Sequence, residues 1–596
     1  MKIRIAIVPG GRIVCFYHTD VRGENPYMKH SWDELDQYRG TYFQGQWPTI
    51  IDLLLITEKK FGWRNGFTVF RPERATLTFS EILAQVKQVG SYLQERGISK
   101  GDRIIINGKN SPAWAIAYLA TLYCGAIVVP LDNQLHIDRV ENLSSYVDAS
   151  FVFADKPVIE ALDPQKDWYA NLKGLACLQG KSDRCLSLNE LTPSVGFERV
   201  PTDEHDLAAI LFTSGTTGNE KGAMLTHANI VSDLYQACDG IFLNLDETDV
   251  LYALLPLHHS YCCTAVLLES IKFGAECVFG QEIVVSRMIN DLTQGKVTFF
   301  MGIPLLYNKL LAGMMKQVKK KGFFVNALVH TMMVINGFAK KQLHWNVFRP
   351  AFNKLLLSKI GLDHNHICIC GAGPLSPKVF KQFQQLGIDF IQGYGLTETS
   401  PILTLNPVSH FKVESVGMVF PLVEMIIADA DATGVGEIRV KGPNVTKGYY
   451  KDEENTKALF DEQGYLKTGD LGWLDKENYL YLKGRVKNLI VTEGGKNVYP
   501  EEIEDLFQLY TQVEQILIRG YQEKKGVPAE LIEAVIYPNK DYYNEHPVAM
   551  QEDLERVIKE VNQQVSGYKK ISRLTILDEP MDMTSTKKIK RNKVTA

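Results

Sequence analysis

Five segments of this chain carry side chains whose types and spacing could do chemistry. The first is Leu211-Phe-Thr-Ser-Gly-Thr-Thr-Gly-Asn-Glu-Lys-Gly222. Thr213, Ser214, Thr216 and Thr217 supply hydroxyls, while Gly215 and Gly218 let the backbone curl so that N–H and O–H groups converge on an anion. Lys221 adds a point charge suited to phosphate. The run is not a GxxxxGK[ST] phosphate loop, and on composition alone a Ser/Thr/Gly turn explains it as well. The second is Gln392-Gly-Tyr-Gly-Leu-Thr-Glu-Thr399, after a strand-like run at 388–391. Gly393 and Gly395 flank Tyr394, so a turn there leaves the ring free as a platform for a purine. Thr397 and Glu398 offer hard oxygens of the kind Mg²⁺ shares with phosphates. Alone, the segment is equally a turn with a solvated glutamate. The third is Lys467–Trp473, in which Asp470 either accepts hydrogen bonds from a ribose diol or closes an Asx turn. The fourth, Gly484–Val491 with Glu493–Glu504, is charged and glycine-marked, the pattern of a hinge. The fifth, Met583–Arg591, is lysine-rich, and such termini are usually solvated.

These segments need a scaffold. Thr78-Phe-Ser-Glu81 is a capping box, and Ile82, Leu83, Val86, Val89 and Leu93 then mark one helical face. Strand-like runs recur at 103–106, 127–130, 151–153, 208–212, 276–279, 297–301 and 366–370. Short apolar strands alternating with helical stretches predict a largely parallel sheet covered on both faces. From 423 to 481 the strands become shorter and turn-rich, a β-rich subdomain. A final αβ unit follows the hinge pattern. Residues 1–45 show no sustained period and suggest no chemistry.

The chain has 596 residues, 45% hydrophobic and 22% charged, with a formal net charge of −4. This excludes wholesale disorder and fibrous classes and disfavours a dedicated nucleic-acid binder. Ten scattered cysteines form no zinc-type spacing, and the N-terminal apolar run is too short for a signal peptide. A cytoplasmic location is the expectation. The uncharged stretch Ser111–Leu131 is long enough to span a bilayer, but Gly125 divides it into a helix and a buried strand. Gly322–Ala339 carries Asn326, His330 and Asn336 and reads as a helix packed on protein. The preceding Lys316, Lys319, Lys320 and Lys321 leave a second option, peripheral contact of about 316–340 with an anionic membrane face.

In this order the five segments resemble the signatures of the adenylate-forming superfamily of acyl-CoA synthetases, luciferase and peptide-synthetase adenylation domains. The resemblance runs from about residue 47 to the end and is nearest to long-chain fatty acid–CoA ligases. It implies a large α/β N-terminal domain of packed parallel-type sheets (46–484), including the β-rich subdomain (about 408–484). It also implies a small, mobile C-terminal α+β domain (485–596). ATP, Mg²⁺ and CoA are implied as cofactors and a fatty acid as substrate, with a carrier-protein thiol as the alternative acceptor. The phosphates would lie on 213–218 and Lys221, with Mg²⁺ on Glu398 and Thr216. Adenine would rest on Tyr394 and on Gly371-Ala372-Gly373, the ribose on Asp470 and Arg485. Lys588, or its neighbour Lys587, would carry the adenylation step, with Lys588 favoured. Lys487 would be the hinge, Gly494-Gly495 would line a pantetheine passage, and His259 would sit at the acyl-pocket mouth.

Three positions depart from the pattern: Glu220 for proline, Asn488 for aspartate and Lys587 for glycine. Amino-acid-activating relatives place an aspartate near Pro256–Thr264, and no acid occurs between Val250 and Leu268. A cationic substrate would then lack a partner. The long 304–371 stretch resembles long-chain enzymes. Retention of Lys221, Glu398, Asp470, Arg485 and Lys588 together argues against a catalytically lapsed nucleotide-binding scaffold.

Overall fold

The computed structural model describes residues 6–8, 12–14, 30–213, 220–343, 345–492, 495–522, 531–584, 588–591 and 594. Two large sheets form its N-terminal part. One has six strands, in the order Lys221–Thr226, Leu207–Thr213, Ile127–Pro130, Arg103–Asn107, Ala149–Ala154 and Gly174–Cys177. All pairings in it are parallel except that of the edge strand Lys221–Thr226. The other has nine strands, parallel from Asn65–Val69 through Asp389–Gly395, with antiparallel pairing at both ends. The expected α/β class is what the structure has.

The helix Pro112–Tyr123 settles the bilayer-length stretch. Ser111 caps it, accepting from the Trp114 N–H, and the strand Ile127–Pro130 follows Gly125 as expected. Every residue from Trp114 to Tyr123 is buried, because the helix packs on strands of both sheets. A helix that is apolar all round needs such a setting. No described helix is long and apolar enough to cross a membrane. Beside it lies Phe79–Glu95, opened by the Thr78/Glu81 capping box.

The β-rich part is a four-stranded antiparallel sheet, Glu424–Ala428, Gly436–Lys441, Leu466–Leu474 and Leu480–Arg485. A 3₁₀ turn at Val486–Asn488 leads into a small C-terminal unit. There Val513–Tyr521, Leu531–Pro538 and Arg573–Ile576 form a sheet, covered by helices Pro500–Phe507 and Met550–Asn562 around a separate apolar core. Within 1–45, Ala6–Val8 pairs with Arg12–Val14, and Ser31–Gln37 is a 3₁₀ helix. Ser31 donates from Oγ to the Tyr235 carbonyl (2.6 Å), and its N–H donates to Asp239 (2.8 Å), fastening this segment to the helix His227–Ala237.

The expected helix after Gly322 runs from Phe323 to Leu343. Its reading as a helix packed on protein holds for one face only. Val329, Met333 and Asn336 are buried, and Asn336 donates to the Gln385 carbonyl (3.0 Å). The opposite face is bare.

Candidate active site

A cavity of ≈ 390 Å³ lies at the carboxyl ends of the parallel strands, where open α/β sheets present their sites. Thr213 ends one strand and Lys221 begins the next; both line the cavity. The intervening Ser214, Gly215, Thr216, Thr217 and Gly218 lie outside the described residues, as do Gly494 and Lys587. The Lys221 ammonium donates to Asn455 Oδ1 (2.5 Å) and stands 5.2 Å from the Tyr449 ring centre. Glu220, a negative charge beside an expected phosphate site, is paired with Arg139 (3.2 Å), which offsets it.

The second segment is not the turn its glycines suggest. The strand continues through Asp389–Gly395, paired with Ile402–Leu405. Gly395 is required by close approach: a Cβ there would lie 1.8 Å from the Pro401 carbonyl oxygen. Gly393, Tyr394, Gly395, Thr397 and Glu398 all line the cavity, as do Gly371 and Ala372; Gly373 falls just outside the lining. Burial raises the Tyr394 hydroxyl well above its usual pKa, so it stays protonated and donates to Asp470 Oδ2 (2.8 Å). Tyr449 donates to Glu398 Oε1 (2.7 Å).

The Asp470 turn is likewise part of a strand, Leu466–Leu474, with Gly469 at φ +67°. Asp470 is nearly inaccessible and sits behind the lining. Its Oδ1 accepts from Arg485 Nε (2.7 Å), and Arg485 itself faces the cavity. Asp470 therefore orients Tyr394 and Arg485 together. Asp470→Asn is expected to raise the KM for ATP about tenfold or more, the scale of a lost hydrogen bond to a charged group. Pyrophosphate exchange against ATP concentration measures this, and an unchanged KM would contradict it.

The lysine-rich terminus is not a free tail. Arg591 donates to the Ile518 carbonyl (2.9 Å) and pairs with Glu504. The Lys588 N–H donates to Thr584 Oγ1 (3.0 Å), and the Thr584 N–H to the Lys588 carbonyl (2.8 Å). This turn directs Lys588 into the cavity, where its surface is open to the cavity while protein surrounds it. Burial lowers its pKa; Arg485 lowers it further and Asp470 partly offsets both. His259 also lines the cavity. Burial, aided by neighbouring His258, brings it down to about 3, so it is neutral at physiological pH.

Lys487 lies in the Val486–Asn488 turn, outside the lining, and burial with Arg485 and Arg591 takes it down to about 8. Asn488 donates to Glu501 Oε1 (2.6 Å), where an aspartate would face a like charge. Gly495, at φ +64°, is also away from the lining.

Sequence reasoning missed Arg139, Tyr449, Asn455, Asp233 and Glu269. The last two line the cavity from outside the window searched for acids, Glu269 directly after it and Asp233 well before it. Burial raises the pKa of both; Asp233 Oδ1 has no hydrogen-bond partner, while Glu269 pairs with Lys272 (3.2 Å). The stretch Val250–Leu268 does hold no acid, but a cationic group in the cavity would not lack an acidic neighbour, because Asp233 and Glu269 line it. The first three share no local motif with the residues they serve.

Four cations, Lys221, Lys467, Arg485 and Lys588, face one cavity, which fits a polyphosphate. Among the described residues no cluster of three His, Cys, Asp or Glu could hold a metal. Glu398 still fits Mg²⁺, which commonly takes one or two carboxylates and completes its shell with phosphates and water.

The AMP-binding enzyme family model matches residues 10–450, and the AMP-binding enzyme C-terminal domain model matches 487–596. The chain belongs to this family of adenylate-forming ligases. It is 27% identical over 490 residues to a long-chain-fatty-acid–CoA ligase of Bacillus subtilis, covering 74% of this chain and 78% of that one. It is 30% identical to long-chain-fatty-acid–CoA ligase 1 of Cavia porcellus (78% and 70% covered). It is 24% identical to a chloroplastic long-chain-fatty-acid–[acyl-carrier-protein] ligase of Arabidopsis thaliana (97% and 89%). Among solved structures, ATP-bound MatB from Rhodopseudomonas palustris superposes with a TM-score of 0.71 at 23% identity, covering 91% of this chain and 97% of that one.

Proposed function

We propose that this enzyme activates a fatty acid with ATP to the acyl-adenylate and transfers the acyl group to the thiol of CoA, releasing pyrophosphate and then AMP. The observation that carries the reading is the convergence of Lys221, Arg485 and Lys588 on a cavity that Leu234, Ala237, Leu243, Ala265 and Met301 also line. A carboxylate and a phosphate repel each other, and fixed cations at their meeting point offset that repulsion. Lys588 neutralises charge where they join. Lys221 and the hydroxyl-rich loop hold the terminal phosphates. Tyr394 packs the base, and Arg485, set by Asp470, holds the ribose side. Mg²⁺ bound at Glu398 supplies further charge neutralisation on the phosphates.

For the thiol step, rotation of the C-terminal unit about Lys487 withdraws Lys588 and brings Gly494-Gly495 to the cavity. A second reading, transfer to a carrier-protein thiol, is favoured by the Arabidopsis relative that aligns over 97% of the chain. Pyrophosphate exchange across acids from acetate to long-chain species, followed by CoA and holo-carrier protein as competing acceptors, tests both. Maximal exchange is expected with long chains and faster release of AMP with CoA. A profile peaking at acetate would refute the fatty-acid reading, and transfer to the carrier alone would select the second.

A further inference from the structure

We propose that the outward face of the helix Phe323–Leu343 docks this enzyme on an anionic lipid surface. The helix is about 32 Å long at 1.5 Å per residue. Its inner face is held by Val329, Met333 and the bonds of Asn336. Turned away from the protein are Phe323, Phe324, Leu328, Val334, Ile335 and Phe338, with Phe324 86% exposed and Phe323 78%. Helical spacing puts these side chains on one side, so they form a continuous apolar strip rather than scattered surface residues.

Charge selects the occupant. Residues 292–362 contain no Asp or Glu and eleven Lys or Arg, within a chain whose net charge is −4. The lysines bracket the strip. Lys319, Lys320 and Lys321 are exposed immediately before Phe323, and Lys341 is exposed near the other end, followed by exposed Trp345. Two lysines are engaged elsewhere: Lys316 pairs with Glu545 (3.0 Å) and Lys340 with Asp389 (2.7 Å). An apolar strip flanked by cationic side chains with an aromatic at one end is the arrangement by which a helix lies in the headgroup boundary. The rings enter the acyl region and the lysine stems reach back to anionic headgroups. A protein partner would need acidic groups at both ends of a flat strip, whereas an anionic bilayer presents them everywhere.

The test is flotation of the full chain with vesicles of phosphatidylcholine alone or with phosphatidylglycerol added. Binding is expected only to the anionic vesicles and is expected to weaken as salt rises. Phe323→Gln/Phe324→Gln/Phe338→Gln should abolish it. Lys319→Gln/Lys320→Gln/Lys321→Gln should reduce it on the order of a hundredfold. Both variants should keep the wild-type circular dichroism and melting temperature, since the substituted side chains are exposed. Equal binding to neutral vesicles, unchanged binding by the triple Phe variant, or no binding at all would overturn the proposal. So would a dimer in light scattering that the Phe substitutions dissociate without any vesicle binding, which would assign the strip to a second copy of this chain.

Discussion

Lys588→Ala is expected to lower ATP–pyrophosphate exchange by about 10²–10³-fold, the cost of removing one preorganised donor from developing charge. Thioester formation from supplied acyl-adenylate should stay near the wild-type rate. The split follows from geometry: Lys588 faces the cavity alongside Arg485, and once the anhydride exists the repulsion it offsets is gone. The alkaline limb gives a second readout. Burial and Arg485 lower the lysine pKa, so kcat/KM for adenylation in the free enzyme should fall at lower pH than an ordinary lysine would dictate, as the proton is lost. Lys588→Arg keeps its charge throughout, so any activity it retains should lack that limb. Equal loss of both half-reactions would remove Lys588 from its assigned role.

Lys487→Pro is expected to do the reverse. Lys487 sits in the short turn between the antiparallel sheet and the C-terminal unit, outside the cavity lining. Proline holds φ at position 487 near −65°, a value a 3₁₀ turn uses, and so resists rotation of the joint away from it. If the thiol step requires this joint to turn, a penalty of about 3 kcal/mol slows it on the order of 10²-fold. Adenylation should persist to the extent that the joint can hold the Lys588-in arrangement. Single-turnover formation of acyl-adenylate and its decay on adding CoA separate the two steps. A variant slowed equally in both, with an unchanged melting temperature, would place the hinge elsewhere.

Much of the scaffold was legible because its signals are local. The Thr78/Glu81 box, the break at Gly125 and the apolar strand runs depend on neighbours a few residues away, and the structure keeps them all. Two motifs were located but misread. Gly395 and Gly469 suggested turns, yet both lie in strands: one admits the Pro401 backbone, the other takes a left-handed φ beside Asp470. A glycine in a sequence says that space or φ is special without saying which.

Sequence by itself determined the family signatures, the α/β class and the identity of the charged groups, because residue type and short-range spacing are written along one dimension. Only the tertiary structure decided which of those groups meet. Asp470 reaches Tyr394 across 76 positions, Tyr449 reaches Glu398 across 51, and Asn455 reaches Lys221 across 234. It also decided that Asp233 and Glu269 border the cavity, and that one face of Phe323–Leu343 stays bare. Such pairings are set by how sheets and helices stack, and burial then shifts the pKa of the groups enclosed; neither is encoded in the residues flanking them.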